Sequence, residues 1–360
     1  MRRFWVGAGV ASLLVTGLTA PPIAATQPAA DTTAQATVAP NPKIDETCGL
    51  DATLILDASG SINSAHAVNT VRTASKDLIA ALKDTNSTLR VTQFATLGSL
   101  AVGGGQLSPR VPVNATTAGT GGQLSNAIAN YYTPPPQRPS DVTISPSNRN
   151  LTTTNWQDGI KAIDRPELAI FVTDGDPNAY NSGAKHVTIS NSSSGASLDN
   201  AITEANIVKT AGTRMLVVGV GNGITSNASK ERLKKISGPV LATTPTALVG
   251  KTINDVDAVA FSDFAALGAF LRSVVTSLCG NSVTIQKLAQ TSSGADYVPA
   301  TGWDVTVQPT VSGGFTWVTP TGPDNSAQTL PTSGAQGTAA FQWKPKVASQ
   351  KATVQVSESV

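Results

Sequence analysis

The chain has 360 residues, of which 40% are hydrophobic and only 13% are charged, so it can bury a core, which argues against global disorder. Its formal net charge is +2, and loss of Arg2 and Arg3 with a cleaved leader would leave 23 basic against 23 acidic residues. A neutral chain without a basic run is a poor binder of nucleic acid or of an anionic membrane, so both partners are set aside.

Residues 1–25 have the composition of a secretory signal. Two arginines open the segment, Phe4 to Leu18 form a short apolar stretch, and small residues suited to cleavage follow. The apolar stretch is short for a membrane span, and the alternative is an interfacial anchor that is retained. We therefore expect a secreted protein, associated with the cell surface, without a membrane span in this chain.

Residues 26–47 are rich in Ala, Thr, Pro and Gln and predict a flexible linker. The two cysteines, Cys48 and Cys279, both lie in the exported part. In an oxidising compartment such a pair more often forms a disulfide, which would contribute on the order of 5 kcal/mol by restricting the unfolded chain. The alternative is two buried thiols, and we favour the disulfide.

Between the cysteines, strands alternate with helices. Strands are predicted at Leu54–Leu56, Leu89–Ala95, Leu100–Gly103, Leu168–Thr173 and Met215–Val220. Apolar residues at helical spacing predict helices at Val68–Leu82, Gln123–Tyr132, Leu198–Ala205 and Phe264–Leu278. The alternation predicts that residues 48–280 form an α/β domain with a doubly wound, mostly parallel sheet, whose ligand sites lie at the carboxyl ends of the strands.

Two long stretches interrupt this pattern. Residues 133–153 contain five prolines among Ser, Asn and Thr, and residues 178–196 are dominated by Asn, Ser, Gly and Ala. Loops of this length in a compact domain are usually functional or disordered. Either they select a partner or they are solvated insertions, and the sequence leaves both readings open.

Oxygen-bearing side chains follow two of the buried strands. Asp57-Ala58-Ser59-Gly60-Ser61 comes directly after the first strand, and Asp174 follows the strand that ends at Thr173. Thr154 precedes a predicted helix start, in Thr154-Asn155-Trp156. These segments are predicted to meet at one edge of the sheet. Carboxylate and hydroxyl oxygens are suited to a hard divalent cation, Mg²⁺ or alternatively Mn²⁺ or Ca²⁺.

On these motifs, residues 48–279 resemble the von Willebrand factor A-type domain. Asp-x-Ser-Gly-Ser, Thr-Asn-Trp and Thr-Asp-Gly occur in the order in which that family carries its metal-ion-dependent adhesion site. The resemblance implies that Ser59, Ser61 and Thr154 ligate the metal directly and that Asp57 and Asp174 often act through water. Val218-Gly219-Val220-Gly221 is also similar to a strand of the family.

Three further candidates near this site have other readings. Asp176 is interpreted as a loop-capping residue. Trp156 is interpreted as a packing residue, and Gly219 to Gly223 as a strand-end turn and not as a dinucleotide loop.

Residues 281–360 show short alternating strands between turn signals and predict a small all-β sandwich that looks truncated. The region resembles prealbumin-like or collagen-adhesin B-type stalk domains of Gram-positive surface proteins, through Val283–Lys287 and Thr353–Glu358. In some members the equivalent lysine bonds covalently to an asparagine with help from the glutamate. No partner asparagine can be named here, and solvated Lys287 and Glu358 side chains are the preferred reading.

These features predict an adhesion protein whose metal binds an acidic side chain of a protein partner, either a host or matrix protein or another surface subunit. The alternative is a pilus or cell-wall component in which the domain mediates assembly. Catalysis is not expected, because hydrolase and phosphate-loop motifs are missing from the sequence. The two histidines, His66 at a predicted helix start and His186 in a polar loop, do not resemble general bases.

Overall fold

A computed structural model describes residues 37–45, 49–83, 85–133, 136–147, 151–190, 192–248, 251–279, 281–320, 322–334, 337–345 and 352–359. The predicted signal (1–25), most of the predicted linker and Cys48 lie outside these residues. The disulfide with Cys279 therefore stays a prediction. Among the described residues, no helix is long and apolar enough to cross a membrane.

The secondary structure divides into an α/β region up to Cys279 and a β region from Asn281. The helices are α1 (Gly60–Ser64), α2 (Val68–Leu82), α3 (Ala115–Ala118), α4 (Gln123–Asn130), α5 (Trp156–Lys161), α6 (Ala196–Thr210), α7 (Asn227–Ile236) and α8 (Leu267–Cys279). The strands of the α/β region are β1 (Asp51–Asp57), β2 (Thr88–Phe94), β3 (Gln106–Pro112), β4 (Thr143–Ser145), β5 (Leu168–Thr173), β6 (Ala179–Gly183), β7 (His186–Ile189), β8 (Arg214–Val220), β9 (Leu241–Ala242) and β10 (Ala258–Phe261).

The centre of the α/β region is a seven-stranded sheet with the order β3-β2-β1-β5-β8-β10-β9. Its pairs are parallel except for β2 with β3. From β1 the chain first builds the sheet outward to β2 and β3, and then crosses to the other side to form β5. The direction therefore reverses between β1 and β5, and this is the point at which doubly wound sheets bind their ligands.

Both faces of the sheet are covered. Leu54 and Leu56 of β1 pack in a cluster with α2, α4 and α8, whereas Ile55 between them packs with α5, α6 and α7. A strand with helices on both faces must be apolar at every position, which explains why β1, β5 and β8 are continuous hydrophobic runs. The predicted α/β fold with a doubly wound, mostly parallel sheet is confirmed.

One predicted strand is wrong. Leu100–Gly103 does not form a strand; Val102–Gly105 is a 3₁₀ turn, and β3 begins only at Gln106. Gly103 and Gly104 have φ angles of 70° and 65°, which glycine tolerates and which a strand does not use. Ala101 belongs instead to a small separate core that includes Leu97, Leu100 packs against this core, and Val102 is exposed.

The two long loops contain strands that the sequence did not reveal. β4 pairs parallel with β7, and β7 pairs antiparallel with β6, to form a three-stranded sheet, here called the inserted sheet. One face is apolar, with Ile144, Val187 and Ile189 buried in the separate core. These strands have only three to five residues, too few for a clear alternation among so many Ser, Asn and Gly residues.

Residues 37–45, here called the N-terminal segment, run along the edge of the sheet opposite to the carboxyl ends of β1 and β5. The side chain of Asn41 bonds both the N–H and the C=O of Met215, at 2.9 Å each. The buried Lys209 and Arg214 donate to the carbonyl oxygens of Ala39 and Pro42, at 2.8 Å each. The prediction of a flexible linker did not anticipate these hydrogen bonds.

The strands of the β region are β11 (Asn281–Gln286), β12 (Leu288–Gln290), β13 (Tyr297–Pro299), β14 (Asp304–Val311), β15 (Phe315–Thr319), β16 (Gln328–Pro331), β17 (Thr338–Pro345) and β18 (Ala352–Ser359). Two antiparallel three-stranded sheets, β11-β17-β15 and β16-β14-β18, enclose a cluster that includes Trp317, Phe341 and Trp343. Lys287 differs from the solvated side chain expected, because its Nζ lies 2.6 Å from Glu358 and 4.0 Å from the ring centroid of Trp303.

Candidate metal centre

The carboxylates of Asp57 and Asp174 come together because their strands are neighbours. Asp57 ends β1 and Asp174 follows β5, and these strands pair in parallel with Leu56 opposite Val172. Both residues therefore leave the same edge of the sheet at the point where the strand order reverses. The segments that carry Asp57 and Asp174 therefore lie side by side, as the sequence predicted.

The turn after β1 brings three oxygen-bearing side chains into contact. The N–H of Ser59 donates to Asp57 Oδ1 at 2.8 Å, which folds the turn back on the carboxylate. Ser59 Oγ and Ser61 Oγ are 3.0 Å apart, and Ser61 Oγ donates to Asp174 Oδ1 at 2.6 Å. A continuous row of side-chain oxygens thus joins the two segments.

Thr154 reaches the same place from a third segment. The N–H of Gly60 donates to the C=O of Thr152 at 2.8 Å, so the Thr152–Thr154 chain lies against the Asp57 turn. Thr154 Oγ1 and Ser61 Oγ lie 3.7 and 3.8 Å from the position that a Cβ on Gly175 would occupy. The Thr154 hydroxyl therefore lies near that of Ser61, beside Gly175, and Ser61 in turn contacts Ser59 and Asp174.

The electrostatics of the site are unusual for a protein interior. Asp57 and Asp174 are 1% and 5% exposed, and among the described residues neither forms an ion pair with Lys or Arg. Burial raises the pKa of Asp57, and burial together with the negative charge of Asp57 raises the pKa of Asp174 to about 7. Two buried carboxylates without a cationic side chain leave a charge to be balanced.

Three residues that complete the site were missed by sequence reasoning. Thr173 Oγ1 donates to Asp57 Oδ2 at 2.6 Å, and the buried Tyr131 donates its phenol to the C=O of Asp57. Asn178 Oδ1 accepts from the N–H of Thr154 at 2.7 Å. These three residues form hydrogen bonds to backbone atoms or to the second carboxylate oxygen of Asp57, Oδ2. No sequence motif indicates such bonds. Of the three, only Thr173 lies within a recognised motif, Thr-Asp-Gly, and its bond to Asp57 was not predicted.

The donor set fits a small hard cation. Mg²⁺ takes six oxygens at 2.0–2.1 Å, which places adjacent ligand oxygens about 2.9 Å apart. The 3.0 Å between the Ser59 and Ser61 hydroxyl oxygens is close to that separation. Among the described residues, no group of three or more His, Cys, Asp or Glu side chains could hold a metal. Any ion at this site would therefore depend on hydroxyl oxygens.

Ser61 is the exposed member of the set, whereas Asp57, Ser59, Thr154 and Asp174 are buried. The buried residues are fixed by their strands and turns, and the site opens to solvent on the Ser61 side.

The neighbouring candidates have structural roles. Asp176 pairs with Arg232 at 2.8 Å and accepts from Ser229 Oγ, so it joins its loop to α7. Trp156 is fully buried, and its indole N–H donates to Thr173 Oγ1 at 3.2 Å, as expected of a packing residue. Gly221 has a φ of 99° in a turn that follows β8, which agrees with a strand-end turn.

The sequence matches no known family model and no curated protein. Among solved structures, it is similar to proximal thread matrix protein 1 from the mussel byssus, at 16% identity over 65% of this chain and 46% of that chain, with a TM-score of 0.38. It is also similar to the pilus adhesin SpaC from Lactobacillus rhamnosus GG, at 13% identity over 89% and 53% of the two chains, with a TM-score of 0.43. A third is the manganese-loaded TRAP protein of Plasmodium vivax, at 14% identity over 88% and 94%, with a TM-score of 0.37.

The chain spans about half the length of the first two of these structures. With TM-scores below 0.5, the likenesses assign no function to this chain.

Proposed function

We propose that this chain is a secreted, cell-surface adhesion protein that binds a protein partner through a divalent cation, Mg²⁺ or Mn²⁺, held by Asp57, Ser59, Ser61, Thr154 and Asp174. The observation that carries the proposal is the convergence of these oxygens from three segments, around two buried carboxylates that form no ion pair with any described Lys or Arg. Ca²⁺ is less well suited to so few charged ligands.

The hydroxyl and carboxylate side chains would contribute differently to binding of the ion. The hydroxyls of Ser59, Ser61 and Thr154 offer neutral oxygens that can contact the ion directly. Asp57 and Asp174 supply the negative charge, and Thr173 holds one oxygen of Asp57 in place. A divalent ion held mainly by neutral oxygens keeps a strong attraction for a further anion. That is the chemistry it would supply to an acidic side chain of a partner.

The remaining features support a binding role. The site lies at the carboxyl ends of parallel strands and opens toward solvent at Ser61, where a partner can approach. Secretion rests on the leader-like composition of residues 1–25. Binding without turnover is the function proposed.

The test is calorimetric titration of Mn²⁺ and Mg²⁺ into the wild-type chain and into Asp57→Ala. The wild type is expected to bind one ion and Asp57→Ala none. Ser64→Ala is the matched control, because Ser64 lies in the same short helix α1 and its hydroxyl bonds only the C=O of Gly60. Failure of the wild type to take up either ion would refute the proposal.

Partner binding is tested in a second experiment. Beads coated with the chain are expected to adhere to surfaces coated with extracellular-matrix proteins in Mn²⁺, and to detach in chelator. Adhesion that is equally strong with chelator and with Asp57→Ala would show that the cation is not used for contact.

A further inference from the structure

The inserted sheet is attached directly to one of the proposed metal ligands. Its strand β6 begins at Ala179, five residues after Asp174, and runs beside the segment that carries Thr154. The inserted sheet therefore lies beside the site. Its strands are not part of the central sheet, which positions Asp57 and Asp174.

Asn178 forms hydrogen bonds to both backbone groups of Thr154, its N–H and its C=O. Its side-chain oxygen accepts from the N–H of Thr154 at 2.7 Å, and its own N–H donates to the C=O of Thr154 at 2.9 Å. The N–H of Ala179 donates to the same carbonyl at 3.2 Å. Because Thr154 is only 4% exposed, water cannot readily replace these partners.

Another asparagine, Asn181 on β6, forms hydrogen bonds to the helix that follows Thr154. The N–H of Asn181 donates to Gln157 Oε1 at 2.8 Å, and its side-chain amide donates to Asp158 Oδ1 at 2.8 Å. Its side-chain oxygen accepts from Asn155 Nδ2 at 3.0 Å. Strand β6 thus bonds the first turn of α5 as well as Thr154 itself.

The position of β6 depends in turn on the rest of the inserted sheet. Ala179 is fully buried in the separate core, together with Ile144, Val187 and Leu97. This core shares no residue with the clusters on the two faces of the central sheet. Displacement of the inserted sheet would therefore move Thr154 without unfolding the central sheet.

We infer that Asn178 is a positioning residue for the metal ligand Thr154, and that metal affinity depends on the inserted sheet being seated. The inference rests on the proposed function, since it concerns the same site. It goes beyond that function by making the affinity for the ion depend on a residue outside the five proposed ligands.

The test compares Mn²⁺ binding by the wild type, Asn178→Ala and Asn178→Asp at 25 °C. Loss of a hydrogen bond that orients a metal ligand typically lowers metal affinity about 10- to 100-fold, and we expect that loss for Asn178→Ala. Asn178→Asp keeps an oxygen that can accept from Thr154, and its affinity is expected to equal or exceed that of the wild type. Rescue by this variant distinguishes a positioning bond from loss of packing.

Ser182→Ala is the matched control, because Ser182 lies on β6, four residues after Asn178, and is exposed. Among the described residues its hydroxyl bonds only that of Thr188, at 2.8 Å. It is expected to bind Mn²⁺ as the wild type does. Circular dichroism and the melting temperature are recorded for each variant. If Asn178→Ala does not fold, Asn178→Ser, whose side chain is one bond shorter than that of asparagine, takes its place.

The outcomes distinguish the positioning role of Asn178 from the proposed metal-binding function. Wild-type affinity in Asn178→Ala, or equal losses in Asn178→Ala and Asn178→Asp, would overturn the positioning role while the metal site stands. A wild type that binds no Mn²⁺ would overturn the proposed function and this inference together.

Discussion

At the scale of single residues, the site depends on hydroxyl groups that orient carboxylates. Thr173 is the clearest case, because its oxygen donates to Asp57 Oδ2 and accepts from the indole N–H of Trp156. All three residues are buried. A single hydroxyl therefore connects a proposed metal ligand to the hydrophobic core beneath it.

We predict that Thr173→Val lowers the free energy of unfolding by about 1–3 kcal/mol, because it leaves a buried carboxylate oxygen and a buried indole N–H without a partner. The measurement is urea denaturation in the presence of chelator. Thr203→Val is the control, since Thr203 is exposed on α6 and its change should stay within about 0.5 kcal/mol. Equal stabilities of the two variants would contradict the role given to Thr173.

The five proposed ligands could be predicted from the sequence because each lies beside a recognisable element. Asp57 ends a buried strand and Asp174 follows another, and Thr154 precedes a helix whose cap, Asn155, is a typical N-cap residue. Tyr131 and Asn178 could not be predicted. Their bonds are to backbone atoms of residues 74 and 24 positions away, and pairings of this kind depend on the folded geometry alone.

At the scale of elements, the long apolar strands were predictable and the short polar ones were not. β1, β5 and β8 are buried at nearly every position, so their sequences are continuous hydrophobic runs. β4, β6 and β7 bury only alternate residues over a few positions, and the pattern is too short to read. The same limit explains the misplaced strand at Leu100–Gly103, where an apolar run belongs to a turn that contains three glycines.

Helix α6 carries a buried lysine whose charge is held by the N-terminal segment. Lys209 is 2% exposed, and its Nζ donates to the C=O of Ala39 at 2.8 Å and of Ser237 at 3.1 Å. Burial lowers the pKa of Lys209 to about 8, although the charge of Asp257 acts in the opposite direction. In the unfolded chain the same group titrates near its ordinary value of about 10.4.

This shift predicts how stability changes with pH. Between pH 8 and 10 the unfolded chain binds a proton that the folded chain has released, so the contribution of Lys209 to the free energy of unfolding rises with pH. Below pH 8 both states are protonated and its contribution is constant. The difference in unfolding free energy between the wild type and Lys209→Met should therefore shift in favour of the wild type from pH 8 to pH 10.

Urea denaturation at several pH values measures that difference, and titrations of other groups cancel between the two proteins. Lys230→Met is the control, because Lys230 lies on α7 and takes part in none of these hydrogen bonds. A difference that is constant between pH 7 and 10 would contradict a lowered pKa of Lys209.

At the scale of the whole chain, the α/β region and the β region bury separate cores. The cluster around Trp317, Phe341 and Trp343 shares no residue with the clusters of the central sheet. Helix α8 ends at Cys279, and the next strand begins at Asn281. All residues of the proposed metal site lie on the α/β side of this boundary, as do Asn178 and Asn181, which support it.

We predict that residues 37–280 fold on their own, because each core is complete within its own part of the chain. This fragment should unfold in one cooperative transition and bind Mn²⁺ with the affinity of the full chain. The start at residue 37 matters, since Asn41 bonds both backbone groups of Met215 at the beginning of β8. A shorter fragment that begins at residue 46 should be less stable.

The full chain carrying Phe341→Asp provides the matched control. A charge at this fully buried position should unfold the β region and leave the α/β transition and its Mn²⁺ affinity unchanged. Loss of metal binding in both the fragment and this variant would mean that the β region supports the site. The two regions would then not fold independently, although their cores are separate. Retained binding in both would place adhesion in the α/β region and leave the β region free to act as a spacer.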